Sequence, residues 1–178
     1  MLSIFNRNFF SRILMMCLLA VGLNYAIKHY VIKNYVIKSG LASTQFIMRD
    51  HIVIDIKSGV EWLRCSVGQS WDGETCIGKI VKLNHEDIKQ AISIANEQLG
   101  GNWRLPDLEE LEGIVCHECD GAKINAEAFP NTSAEPYWTG EQNPYATRHY
   151  YTVNFFTGDR YGRFFPYQEM AVRLVQDR

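Results

Sequence analysis

Cys65 and Cys76 bracket a loop that runs from Ser66 to Thr75, and Cys116-His-Glu-Cys119 forms a second, tighter pair. Thiols at these spacings have three uses: a disulfide, a zinc site or thiol–disulfide exchange. A small loop containing Gly68, Trp71 and Gly73 and closed by two cysteines reads as a disulfide. The preferred pairing is therefore Cys65–Cys76 with Cys116–Cys119, which requires an oxidising compartment. Zinc is one alternative, held by all four cysteines or with His117 replacing one. The two-residue spacer of Cys116 and Cys119 suits a zinc knuckle, but the long gap between Cys65 and Cys76 does not. Exchange chemistry is the other alternative and the weaker one. Redox-active pairs open a helix after a strand, whereas Cys116 follows the apolar run Leu108 to Val115.

Nothing else in the chain asks for catalysis. The histidines at 29, 51, 85, 117 and 149 are scattered. No glycine-flanked serine stands in a Ser-His-Asp order, and no glycine loop is built to cradle phosphate. Glu109, Glu110 and Glu112 read as the solvated face of a helix. We assign no catalytic residue, no metal and no cofactor, and expect a non-enzymatic protein. The richest recognition chemistry lies between Tyr145 and Tyr167. There Tyr145, Arg148, Tyr150, Arg160, Tyr161, Arg163 and Tyr167 are the ligand-binding candidates, interleaved with His149, Tyr151, Phe164 and Phe165. Aromatic faces stack on sugar rings, and arginine holds anionic substituents. Alternate residues of a strand must also fill a core, so part of this set is structural. Glu135-Pro-Tyr137 and Glu141-Gln-Asn143-Pro144 do not assemble a calcium cluster.

The N-terminus supplies a route to an oxidising compartment. Residues 1–12 hold Arg7 and Arg12 with no acid, a cytoplasmic n-region in form, and an apolar run from Ile13 to Ile27 follows. A run of about 15 residues suits a secretory signal and is short of the roughly 20 of a membrane span. Tyr30-Val-Ile-Lys33 and Tyr35-Val-Ile-Lys38 lengthen it, because tyrosines settle at the interface and lysines snorkel. We read 13–38 as a signal-anchor with its basic flank, and cleavage near Gly22 or Ala26 as the alternative. Cys17 lies inside this segment without a lipoprotein context. Residues 1–38 carry five Lys or Arg and no acid; the remaining 13 basic residues face all 20 acidic ones, a net −7 beyond residue 38. An acidic exported domain is a poor match for nucleic acid.

The rest of the chain suffices for one domain after a linker at 39–49, covering 50–178. Ile52–Ile56 and Val60–Cys65 around Lys57-Ser-Gly59 predict a hairpin. Asn84 caps a helix that runs to Leu99, with Ile88, Ala91, Ile92, Ala95 and Leu99 at helical spacing, and Gly100-Gly101 ends it. Asp107 and Glu110 stand in capping-box register for a second helix with Leu108, Leu111, Ile114 and Val115 inward. Tyr137–Thr139, Tyr150–Phe156, 160–165 and Ala171–Val175 predict an antiparallel β half. The fold class is α+β with two helices and an antiparallel sheet.

A family pattern runs through these elements. It opens with Asp55-Ile-Lys-Ser-Gly59-Val-Glu-Trp62-Leu-Arg-Cys65, Gly68-Gln69 and Trp71-Asp-Gly73, and continues with Gly101-Asn-Trp103-Arg104-Leu105-Pro106 and Glu110-Leu111. It closes with Ile124-Asn125, Phe129-Pro-Asn-Thr132, Tyr137-Trp138, Val153-Asn-Phe155, Gly158 and Val172-Arg173-Leu174-Val175. In this order the set resembles the Lcl C-terminal domain family over roughly 50–176. The resemblance implies a compact C-type-lectin-like fold, extracytoplasmic placement in bacteria, and binding or adhesion at the cell surface. It implies no catalytic set. Trp138-Thr-Gly140 replaces the Trp-Ser-Ser common in the family. Trp62, Trp103, Arg104, Pro106, Trp138 and Arg173 are expected to fix the fold: the tryptophans as core nuclei with bonded N–H groups, the arginines paired with carboxylates.

These readings predict an envelope protein anchored in the inner membrane and facing the periplasm, or secreted after cleavage. Its partner is a surface or periplasmic glycan or an envelope protein, and a homo-oligomer is compatible with the sequence. A structural subunit of an envelope assembly is the second reading, and a thiol–disulfide helper using Cys116 and Cys119 the last.

Overall fold

The computed structural model describes residues 45–178. The n-region 1–12, the segment 13–38 with Cys17, and residues 39–44 lie outside the described residues. Among the described residues no helix is long and apolar enough to cross a membrane.

Asp55 organises the first hairpin. Its carboxylate accepts from the amides of Lys57 at 3.0 Å and Ser58 at 3.3 Å and from the Ser58 hydroxyl at 2.9 Å. Gly59 completes the turn at φ 75°. The turn joins β2 (Ile52–Asp55) to β3 (Val60–Leu63), as the alternation predicts. The sequence places residues 46–49 in a linker; the structure corrects this and pairs β1 (Phe46–Arg49) with β2. Phe46 points inward and meets Phe129 edge-on at 5.4 Å, which explains why so short a strand docks. On the other side β3 pairs with β9 (Val175–Asp177), so the sheet order is β1-β2-β3-β9, antiparallel throughout.

The expected strand at Ala171–Val175 is displaced. Only Val175 of that run belongs to β9; Met170 bridges to Leu83 and Ala171 to Tyr137. Residues 170–175 are buried on every side, and their carbonyls accept from Leu63, Val67, Leu83, Arg104 and Trp138. A continuous apolar run marks burial without fixing strand geometry.

Two further strands, β4 (Gln69–Trp71) and β5 (Cys76–Gly78), form a small hairpin inside what the sequence shows only as a loop. Helix α1 (His85–Leu99) starts where predicted: Asn84 Oδ1 accepts from Glu86 N at 2.9 Å and Asp87 N at 3.1 Å. Helix α2 (Leu108–Gly113) has the predicted capping box, with Leu108 and Leu111 buried. It ends before Val115, which instead bridges to Ile124.

The β half forms a separate three-stranded sheet of β6 (Pro136–Gln142), β7 (Tyr150–Asn154) and β8 (Asp159–Phe164). The expectation of one sheet thus becomes three. Alternation along β6 sends Tyr137 to one core cluster, with Trp62, Phe129 and Val153, and Trp138 to another, with Ile88, Trp103 and Leu174. The sheet is the wall between two cores. An α+β domain with two helices and antiparallel sheets is what the residues form.

Candidate functional site

The motif residues form the frame. Arg104 grips Glu110 with both guanidinium nitrogens at 2.8 Å and also reaches Asp177 at 2.5 Å, joining α2 to β9. These partners hold its pKa above the ordinary arginine value, Glu110 most strongly. Pro106 is buried, and its carbonyl accepts from Gly140 N at 2.8 Å. Trp103 donates to Gly100 O at 2.8 Å and Trp138 to Leu83 O at 2.9 Å. Two expectations fail. Trp62 is fully buried and its Nε1 has no partner. Arg173 is fully buried and meets no carboxylate: it donates to the carbonyls of Leu63 and Arg64 and the hydroxyls of Ser66 and Thr132. Its guanidinium lies 4.7 Å from the Phe129 ring centre, and burial pushes its pKa down to about 10. Carbonyl and hydroxyl dipoles do the work a carboxylate was expected to do.

The four cysteines among the described residues form two separate disulfides, Cys65–Cys76 and Cys116–Cys119. Each sulfur is bonded to its own partner, which overturns the four-cysteine zinc alternative. Among the described residues no three His, Cys, Asp or Glu side chains gather as a metal site. The doubtful calcium ligands are committed elsewhere. Glu135 pairs with Lys82, Glu141 accepts from Leu108 N, and the Asn143 amide donates to Gly162 O at 2.7 Å. Thr139 in the Trp-Thr-Gly segment donates its hydroxyl to Tyr151 O at 2.9 Å, a structural role.

The seven recognition candidates do not converge on one surface. Val153 pairs with Arg160 and Thr152 with Tyr161, so these two side chains leave β8 on opposite faces. Arg160 turns toward α2 and reaches Glu112 at 3.3 Å. Tyr145, 95% exposed, and Arg148 project from the β6–β7 loop, while Arg163 is exposed on β8. Tyr150 and Tyr167 do come together, lining a cleft of about 510 Å³ with His85, Lys89 and Pro166. Tyr167 is 71% exposed and stacked on Phe165 at 5.3 Å with 11° between planes, and Phe165 rests against His149 at 4.2 Å. Tyr150 lies 3.9 Å from the His85 ring, which meets Trp138 at 4.6 Å. Burial, then Lys89, holds the His85 pKa below its ordinary value, and its Nε2 has no partner. The cleft therefore offers supported aromatic faces beside an exposed Lys89–Glu86 ion pair.

A second cleft, of about 450 Å³, opens between β4 and α1. Trp71 stands in its wall and is held on two sides. Its Nε1 donates to Asp50 Oδ1 at 2.9 Å, and the Arg64 guanidinium lies 3.9 Å over its ring. Asp50 sits at φ 52° and also faces His51 Nδ1 at 3.0 Å; bonds from His51, then Trp71, hold its carboxyl below the usual range. The sequence signalled this cleft only through Trp71 inside the disulfide loop. Nothing local shows that Asp50 and α1 would face it.

The sequence profile described as the Lcl C-terminal domain matches residues 51–176. No curated protein and no solved structure matches the chain.

Proposed function

The chain belongs to the Lcl C-terminal domain family, and from that membership we propose that it is a non-enzymatic envelope protein whose domain binds a carbohydrate. The observation that supports this is the pairing of Tyr150 and Tyr167 in one cleft beside Lys89. A stacked, exposed Tyr167 presents a face whose burial against the apolar face of a sugar ring is favourable, and Phe165 beneath it limits the ordering cost. Lys89 and Glu86, ion-paired at 2.6 Å, both line the site, so it offers a polar edge without net charge. A lectin-like role fits this arrangement better than catalysis. His85, the one histidine lining the cleft, is wedged between Tyr150 and Trp138 with its Nε2 buried away from any ligand. Placement outside the cytoplasm, through the basic and apolar N-terminal segment, is consistent with two disulfides. The test is a glycan array with the full-length chain in detergent, wild type against Tyr167→Ala. Selective glycan binding that is weakened in the variant is expected. A flat response, with a stable protein partner captured from envelope extract, would replace this reading with a subunit of an envelope assembly.

A further inference from the structure

We infer that the cleft between β4 and α1 is a second binding site, specific for an uncharged sugar carrying an acetamido group. It rests on the reading of the domain as a glycan binder but lies apart from Tyr150 and Tyr167. The two walls of the cleft differ in chemistry. Helix α1 contributes Ala91, Ile94, Ala95 and Leu99, and the floor is Leu63, Val67 and Leu174. Ile94 is 43% and Leu99 50% exposed, although both stand on the face that lines the cleft. The facing wall carries Trp71, Asp50, His51, Gln69 and Ser70. An occupant must therefore be apolar along one edge and rich in hydroxyls along the other.

Several ligand classes fail that requirement. An acyl chain would strip water from Asp50, Gln69 and Ser70 without replacing their hydrogen bonds, which is costly. An anionic ligand would find no lysine or arginine among the lining residues. Arg64 touches Trp71 but does not line the cleft, and each of its three nitrogens already donates to a carbonyl, of Ala128, Asp50 or Glu127. A cation would compete for an Asp50 carboxylate that already engages His51 and Trp71. An acetamido sugar meets each wall: its ring stacks toward Trp71, its hydroxyls reach the exposed Ser70 or Gln98, and its methyl group faces Ala91 and Ile94. A volume of about 450 Å³ lies in the range of pre-formed small-ligand sites. The wall is also rigid before binding. Cys65–Cys76 closes the loop that carries Trp71, and Asp50 and Arg64 fix the indole.

The experiment uses intrinsic fluorescence of the full-length chain in a detergent without a sugar headgroup. Trp62, Trp103 and Trp138 are buried and Trp71 alone of the four is half-exposed, so a ligand-induced change reports on this cleft. Titration with N,N′-diacetylchitobiose should give a saturable change. Cellobiose, which has hydroxyls in place of the acetamides, should bind at least about tenfold more weakly, a difference of about 1.4 kcal/mol. Ala91→Phe, which fills the cleft from α1, should abolish the response. Should that variant fail to fold, Leu99→Glu at its exposed position should weaken it instead. Tyr167→Ala should leave it unchanged, so failure here is distinct from failure of the aromatic cleft. No saturable response to the acetamido sugar, an equal response to cellobiose, or a response surviving in folded Ala91→Phe overturns the proposal.

Discussion

Arg173 Nη1 donates to the carbonyl of Arg64 at 2.5 Å, tying the buried run before β9 to the residue that follows β3. The same arginine serves Leu63, Ser66 and Thr132, so one side chain gathers segments distant in sequence. Arg173→Ala should destabilise the domain by about 3–5 kcal/mol, because it leaves a cavity and several unpaired acceptors. Arg173→Lys should recover little, since one ammonium cannot copy a planar fork. Urea unfolding of both variants checks this. Near-wild-type stability of Arg173→Lys would show that charge alone suffices.

The two disulfides should differ in weight. Intact mass should rise by four hydrogens on reduction of the two disulfides. Replacing Cys65 and Cys76 by serine should cost about 2–3 kcal/mol, and replacing Cys116 and Cys119 less, because the second pair closes a much shorter loop. Thermal unfolding of each double variant measures the difference. An equal effect would mean that strain or local packing, not loop closure, sets their contribution.

His85 should make the domain acid-sensitive. Burial, then Lys89, lowers its folded pKa below 6.5, so the folded state resists a proton that the unfolded state accepts. Stability from this residue is fully present above pH 6.5 and is lost as pH falls below it, until the folded pKa is passed. Urea midpoints measured downward from pH 7.5 should fall more steeply for the wild type than for His85→Gln. Parallel slopes would remove His85 from the account.

Gly68 should tolerate no side chain. Its φ is 93°, and a Cβ would lie 2.6 Å from the Lys79 carbonyl oxygen and the Val81 nitrogen, both backbone. Gly68→Ala should cost about 1–3 kcal/mol and shift the wall that carries Trp71. Circular dichroism melting gives the stability, and the chitobiose titration gives the wall.

Much of the frame was legible because it is local. Asn84, Asp107 with Glu110, and Lys57-Ser-Gly59 specify caps and a turn within a few residues, and each forms as read. Disulfide pairing followed from spacing in the same way. What was illegible is long-range. Whether Arg173 meets a carboxylate or carbonyls depends on Leu63 and Arg64, more than a hundred residues away. The seven recognition candidates are close in sequence, yet strand alternation decides which of them meet. Alternation along β8 splits Arg160 from Tyr161, while Tyr150 and Tyr167 line a common cleft. The second cleft joins Asp50, Trp71 and α1, which share no local pattern.

The most direct test of glycan binding is an equilibrium titration of the oxidised full-length chain with its best array ligand. Wild type and Tyr167→Ala are compared at matched melting temperature. Loss of a stacking face worth about 0.5–1.5 kcal/mol predicts binding weakened roughly two- to tenfold. Equal affinity of the two proteins, with unchanged stability, would contradict the account.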